Sequence, residues 1–143
     1  MPGVRAIVQR VRRAAVEVDG VEVSSIGPGL LVLLGVHRED TGDAADRMAR
    51  KLGALRVFSD DRGRMNLSAA DVGGQVLVVS QFTLYGDTRR GHRPGFADAA
   101  PPEHAEPLYE RVRGALGAQG GRFGADMDVS LVNAGPATFL IEV

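Results

Sequence analysis

The chain contains no cysteine and no tryptophan, and arginine has almost displaced lysine: Lys51 stands alone beside sixteen arginines. Without cysteine there is no disulfide and no thiolate for a metal. A cytoplasmic address suits such a chain, although a cysteine-free sequence fits any compartment. No apolar run approaches the roughly 18 residues that a membrane helix needs. The opening M-P-G-V-R-A-I-V-Q-R lacks the apolar stretch of a secretory leader, so none is expected. A net charge of −1 excludes an extended basic face for DNA. Two small clusters, Arg10, Arg12, Arg13 and Arg89, Arg90, Arg93, suffice for a few phosphates only. What remains is 143 residues, 44% apolar and 24% charged, which fits one soluble domain over residues 1–143 with a single core.

Residues 75–87, Q-V-L-V-V-S-Q-F-T-L-Y-G-D, organise the rest. A β-branched and aliphatic run after Gly73-Gly74 predicts a strand buried on both faces, carrying Ser80, Gln81 and Thr83 in a row at its end. Upstream, residues 4–11 read as a first strand, and residues 15–19 and 21–25 flank the hairpin dipeptide Asp19-Gly20. Residues 30–36 form a further buried strand after Gly27-Pro28-Gly29, a plain turn rather than a phosphate loop. Residues 40–57 carry apolar positions at helical spacing. Residues 58–67 form a polar turn without the acidic spacing of a calcium loop. Residues 86–102 are irregular, and long loops in compact domains tend to be functional. A second helix runs from Pro101 or Pro102 to about Gln119, ended by Gly120-Gly121. Residues 127–132 and 137–143 are the last strands, joined by 133–136. The expected class is α+β: a mostly antiparallel sheet curled into a barrel, with two helices.

Side-chain chemistry is sparse. His37, His92 and His104 lack metal-ligand spacing, and Ser80 lacks a nucleophile elbow, so no metal, cofactor or triad is expected. Ser80, Gln81 and Thr83 need hydrogen-bond partners, because a buried polar group left unpaired costs about 1–3 kcal/mol. Either neighbouring backbone or a ligand supplies them. The segment 91–96, G-H-R-P-G-F, combines cation, rigid proline and aromatic ring; it either stacks an unpaired base or is a surface loop plugged by Phe96.

S-Q-F-T at 80–83 and N-A-G-P-A-T at 133–138 complete the picture, together with I-V-Q-R-V near the start and G-R-F-G-A-D-M-D-V-S-L-V-N at 121–133. With that spacing, over essentially the whole chain, they closely resemble D-aminoacyl-tRNA deacylases. Two departures stand out: Ala134 fills a slot commonly acidic, and His92 one commonly apolar. The resemblance implies a homodimer of barrel-like subunits that cleaves the ester between a D-amino acid and the terminal adenosine of tRNA. Ser80, Gln81 and Thr83 would form the catalytic set. Phe82, Arg10, Pro94 and Phe96 would form the substrate- and adenosine-binding set, with Arg10 also orienting the second motif. Gly135-Pro136, with a cis bond, would reach from the partner subunit and impose chirality by rejecting L side chains. Glycine, with no side chain to strike, would be poorly excluded. The implied mechanism uses backbone N–H groups on the oxyanion and a ribose hydroxyl of the substrate; covalent attack by Thr83 is the rival. A non-catalytic dimeric barrel that binds RNA ends, and an esterase of small D-amino esters, are the other readings.

Overall fold

The computed structural model describes residues 3–143. Its longest elements are two strands lying side by side, β1 (Arg5–Val18) and the last strand, β8 (Asp128–Glu142). β1 does not end at residue 11, as the sequence pattern suggested. Alternation is broken because β1 slips register against β8 on either side of Val11. Before the slip, Val4, Ala6 and Val8 face the helices; beyond it Val11, Ala14 and Val16 face the interior of the curled sheet. Arg12 and Arg13 both point to solvent at this switch, which is why they resemble the end of a strand.

Asp19 and Gly20, at φ 51° and 79°, turn β1 into β2 (Val21–Ile26). Two left-handed residues match a tight hairpin's twist. β3 (Gly29–Gly35) follows antiparallel to the first half of β1. Then α1 (Gly42–Ala54) crosses over, shorter at both ends than its periodicity: before it Asp40 is occupied in accepting the His37 N–H at 2.6 Å, and after it Leu55 is already extended. Residues 58–67 are a small hairpin, β4 (Phe58–Ser59) and β5 (Met65–Leu67), where only a turn was expected. Asp60 accepts the N–H groups of Arg62 and Arg64 at its tip.

β6 (Gln75–Ser80) enters parallel to β3, and β7 (Gln119–Gly120) parallel to β6. The six-stranded sheet is therefore mixed rather than mostly antiparallel. Both parallel steps are helical crossovers, which the run of four early strands had disguised. α2 (Pro102–Leu116) ends at Gly117, in the left-handed conformation at φ 59°, before the Gly120-Gly121 pair expected to stop it. Gln119 and Gln75 nearly close the barrel, their Oε1 atoms accepting the N–H groups of Ser25 (3.3 Å) and Gly27 (3.1 Å).

The helices lie on one face of the sheet. Met48, Leu52, Tyr109 and Val112 are all but fully buried there with Leu30, Leu34 and Val78. A fully buried side chain of this size is worth about 1.5–3 kcal/mol. The half-exposed Arg111–Asp46 pair between the helices, at 2.7 Å, belongs to a class worth at most about 1 kcal/mol, so apolar packing fixes their position. Leu31, Leu77 and Val79 fill the barrel interior, which makes β6 buried on both faces as its sequence predicts. No helix among the described residues is long and apolar enough to cross a membrane.

Candidate active site

Ser80 is the last residue of β6; the strand does not carry Gln81 and Thr83 onward as a row. Gln81 makes the final rung, its N–H on the carbonyl of Leu34 at 2.8 Å, and the chain then tightens into a 3-10 turn, Phe82–Tyr85. Gly35 permits this. A Cβ there would lie 3.0 Å from Leu84 Cβ and 3.1 Å from the Gln81 carbonyl, so a side chain would push the turn off β3.

The turn gives each residue of S-Q-F-T a different position. Ser80, Gln81 and Phe82 line a cleft of about 530 Å³. The Gln81 amide donates to the Thr83 hydroxyl, which fixes both side chains. The N–H groups of Phe82 and Thr83, at the start of the turn, meet no protein acceptor among the described residues. Val36, Ala100 and Ala105 form an apolar wall of the cleft, and Phe123 to Met127 close its other side. Asp126 is the one ionisable side chain lining it among the described residues. Sequence reasoning quoted R-F-G-A-D-M without assigning it to the site. Its signal was an irregular stretch, 121–127, delivered to the start of β8.

Phe82 also packs against Phe96, with ring centroids 5.1 Å apart, and Pro94 lies beside Gly86 close by. The long loop is thus brought to the cleft's lip, although neither Pro94 nor Phe96 lines it. Its base is a two-residue bridge in which Asp87 and Gly95 exchange N–H···O bonds of 2.7 and 2.8 Å. The Arg89 guanidinium forks onto Asp87 and holds that carboxyl down at about 2.

Arg10, Gly135 and Pro136 lie apart from the cleft of their own chain. β8 pairs Thr138 with Gln9 and Asn133 with Val11, so residues 134–137 stand out of the ladder opposite Arg10 alone. What was expected as a connector between two strands is a bulge inside one strand, with a cis Gly135-Pro136 bond. Asn133 pinches it closed: its Oδ1 accepts the Ala137 N–H at 2.7 Å, and its Nδ2 donates to the Ala137 carbonyl and the Thr138 hydroxyl. Arg10 ties the bulge down by donating to the Ala134 carbonyl. Gly135 and Pro136 themselves are exposed.

A second cavity, about 490 Å³, lies across the long loop between Arg5, His37, Tyr85 and Asp98. Three of its groups are already engaged: Arg5 pairs with Glu142 at 3.0 Å and stacks over Tyr85, and the Tyr85 hydroxyl donates to the Gly3 carbonyl. Among the described residues no three His, Asp or Glu side chains are grouped to hold a metal ion.

Comparison with known proteins gives the family. Residues 7–142 match the family model described as D-Tyr-tRNA(Tyr) deacylase. The chain is 59% identical to the D-aminoacyl-tRNA deacylase of Anaeromyxobacter dehalogenans (strain 2CP-C) over 96% of each chain. It is also 59% identical to that of Symbiobacterium thermophilum, over 96% of this chain and 95% of the relative. A solved structure described as c-Myc DNA Unwinding Element Binding Protein superposes with TM-score 0.92 at 41% identity, covering 97% of this chain and 98% of that one. A probable eukaryotic D-amino acid tRNA deacylase shares the fold, with TM-score 0.84 at 18% identity over 98% and 99%. From the S-Q-F-T turn at the cleft to the pinched N-A-G-P-A-T bulge, the chain belongs to the D-aminoacyl-tRNA deacylase family of hydrolases.

Proposed function

We propose that this chain hydrolyses the ester between a D-amino acid and the terminal adenosine of tRNA, in a cleft completed by a second copy of itself. The observation that carries this reading is the separation of the two motifs within one chain. The S-Q-F-T cleft is open, while Gly135 and Pro136 are held outward on a braced bulge and do not reach it. A two-fold partner would bring each bulge to the other's cleft. A rigid wall of backbone can then accept the substrate's α-amino group and leave no room for an L side chain. Glycine escapes such a filter.

In this reading the adenosine occupies the apolar side of the cleft, with Phe82 and Phe123 on its flanks and Ala100 and Ala105 behind. The N–H groups of Phe82 and Thr83 point at the developing oxyanion. Ser80 and the fixed Gln81 amide position the ester. Water adds to the ester carbonyl, assisted by the neighbouring ribose hydroxyl. The bond to the ester-linked ribose oxygen then breaks, that oxygen takes a proton, and the D-amino acid leaves with a carboxylate. The Thr83 hydroxyl is engaged by Gln81, and no His, Asp or Glu among the described residues bonds to it, which favours this route over a covalent threonine.

Mixed dimers test the arrangement. Gln81→Ala disables a chain's own cleft; Gly135→Val disables its bulge, since Gly135 has φ 143° and a Cβ there meets the Arg10 guanidinium at 2.8 Å. Each homodimer is expected to be inactive on D-tyrosyl-tRNA, and co-assembly to restore activity in the one cleft served by an intact bulge. Inactive mixed dimers would contradict a bulge that acts across subunits.

A further inference from the structure

Phe82 and Phe96 are the aromatic pair among the exposed large apolar side chains, 55% and 39% exposed. They touch at 5.1 Å with ring planes tilted by 59°, so they form two faces of one ledge rather than a closed stack. Phe82 belongs to the cleft wall, and Phe96 continues the surface outward from its lip. Exposed aromatic area of this kind is usually satisfied by a ligand or partner.

The ledge is rigidly built. The Asp87–Gly95 bridge clamps the base of the loop, and Gly86 gives it room: a Cβ there would stand 3.2 Å from Phe96 Cε1 and 3.5 Å from Pro94 Cβ. The charges on the same loop are unevenly used. Arg89 is tied to Asp87, whereas Arg90 and Arg93 are exposed and enter no ion pair among the described residues. An apolar face for a base with two free guanidinium groups for its phosphate is the arrangement that grips single-stranded RNA.

We infer that Phe96, with Arg90 and Arg93, forms a subsite for the nucleotide preceding the terminal adenosine, its base on the Phe96 ring and its phosphate at the arginines. This rests on the cleft being the adenosine site. It moves Phe96 from the adenosine-binding set to the next nucleotide along the strand. It gives the enzyme a means of preferring an RNA end over a free nucleoside ester.

The test compares kcat/KM for the D-tyrosyl ester of adenosine with that of the trinucleotide CpCpA. The wild type is expected to favour the trinucleotide, with the gain carried by KM. Phe96→Ala should shrink that gain about ten-fold, the order expected for loss of one aromatic stack; Phe96→Trp should keep it. Arg93→Gln should flatten the salt dependence of the trinucleotide reaction. A gain that survives Phe96→Ala overturns the subsite, as does dissociation of a dimer by Phe96→Ala in sedimentation, which would make the ledge an interface. A wild type that hydrolyses tRNA esters but shows no preference between the two small esters also overturns it. If the wild type cleaves neither D-tyrosyl-tRNA nor either small ester, it is the cleft reading that fails.

Discussion

Arg10 and Ala134 lie 124 residues apart, and a guanidinium-to-carbonyl bond of 2.9 Å joins them. The same guanidinium donates to Val57 at 2.7 Å, so one side chain fastens the bulge of β8 to the start of the β4–β5 hairpin. Arginine suits the task because its donors diverge in a fixed plane. Arg10→Lys keeps the charge and loses the fork, leaving one of two partly buried carbonyls without its donor. The expected outcome is a loss of about 1–3 kcal/mol in urea denaturation. Looser positioning of the bulge should also lower kcat/KM on D-tyrosyl-tRNA about ten-fold, equivalent to about 1.4 kcal/mol. Wild-type stability and activity in this variant would show that the bulge holds itself.

Gly35 seats the S-Q-F-T turn by close approach rather than by flexibility. Gly35→Ala should move Phe82–Tyr85 by a few tenths of an ångström, since its Cβ would press on Leu84 and the Gln81 carbonyl. Overpacking of this kind costs about 1–3 kcal/mol. Activity should fall further than stability does, because positioned donors tolerate little displacement. Comparing kcat with the thermal midpoint of the same preparation checks this.

Asp126 is the cleft's ionisable side chain, yet the proposed chemistry gives it no proton to carry. Asp126→Asn is expected to cost less than about ten-fold in kcat, against the roughly 10²–10⁴-fold that a general base contributes. A drop of the larger size, with KM unchanged, would identify Asp126 as the base and displace the ribose hydroxyl from that role.

Asp40 is shifted upward, whereas Asp46, Asp60, Asp71 and Asp87 are shifted downward. Burial raises it, and the His37 N–H, the charges of His37 and His104, and Arg47 only partly offset that. A raised folded-state value means that the native protein holds the proton more tightly than the unfolded chain. Asp40 therefore supports the fold below its ordinary value of 3.8 and loses that contribution as pH rises through the folded value. Asp40→Asn removes the titration and keeps an acceptor for His37. Its stability relative to the wild type should rise from acidic to neutral pH in urea melts; a constant or falling difference would contradict the assignment.

The strands that a single periodicity describes were legible in the sequence: β3 and β6 as aliphatic runs, the β1–β2 hairpin from Asp19-Gly20, and both helices from their apolar stripes. What periodicity missed lay where two phases meet. β1 changes faces at Val11 through irregular pairing with β8, so one strand read as two. Parallel pairing of β3 with β6 depends on contacts across 40 or more residues, and no local signal marks it. The site divides in the same way. Ser80, Gln81 and Phe82 were visible as polar and aromatic residues after a buried strand, and Asn133 to Thr138 as a motif. Asp126 and the 123–127 wall carry no distinctive chemistry in sequence and join the site only because β8 begins there.

The most direct test is hydrolysis of matched D- and L-tyrosyl-tRNA by the purified protein, followed as ester loss with and without a chelator. Loss of the D ester alone, unchanged by chelator, is the predicted result for a chiral wall acting through backbone donors. Cleavage of both esters at similar rates would contradict the wall, and cleavage of neither would leave an RNA-end-binding barrel in place of an enzyme.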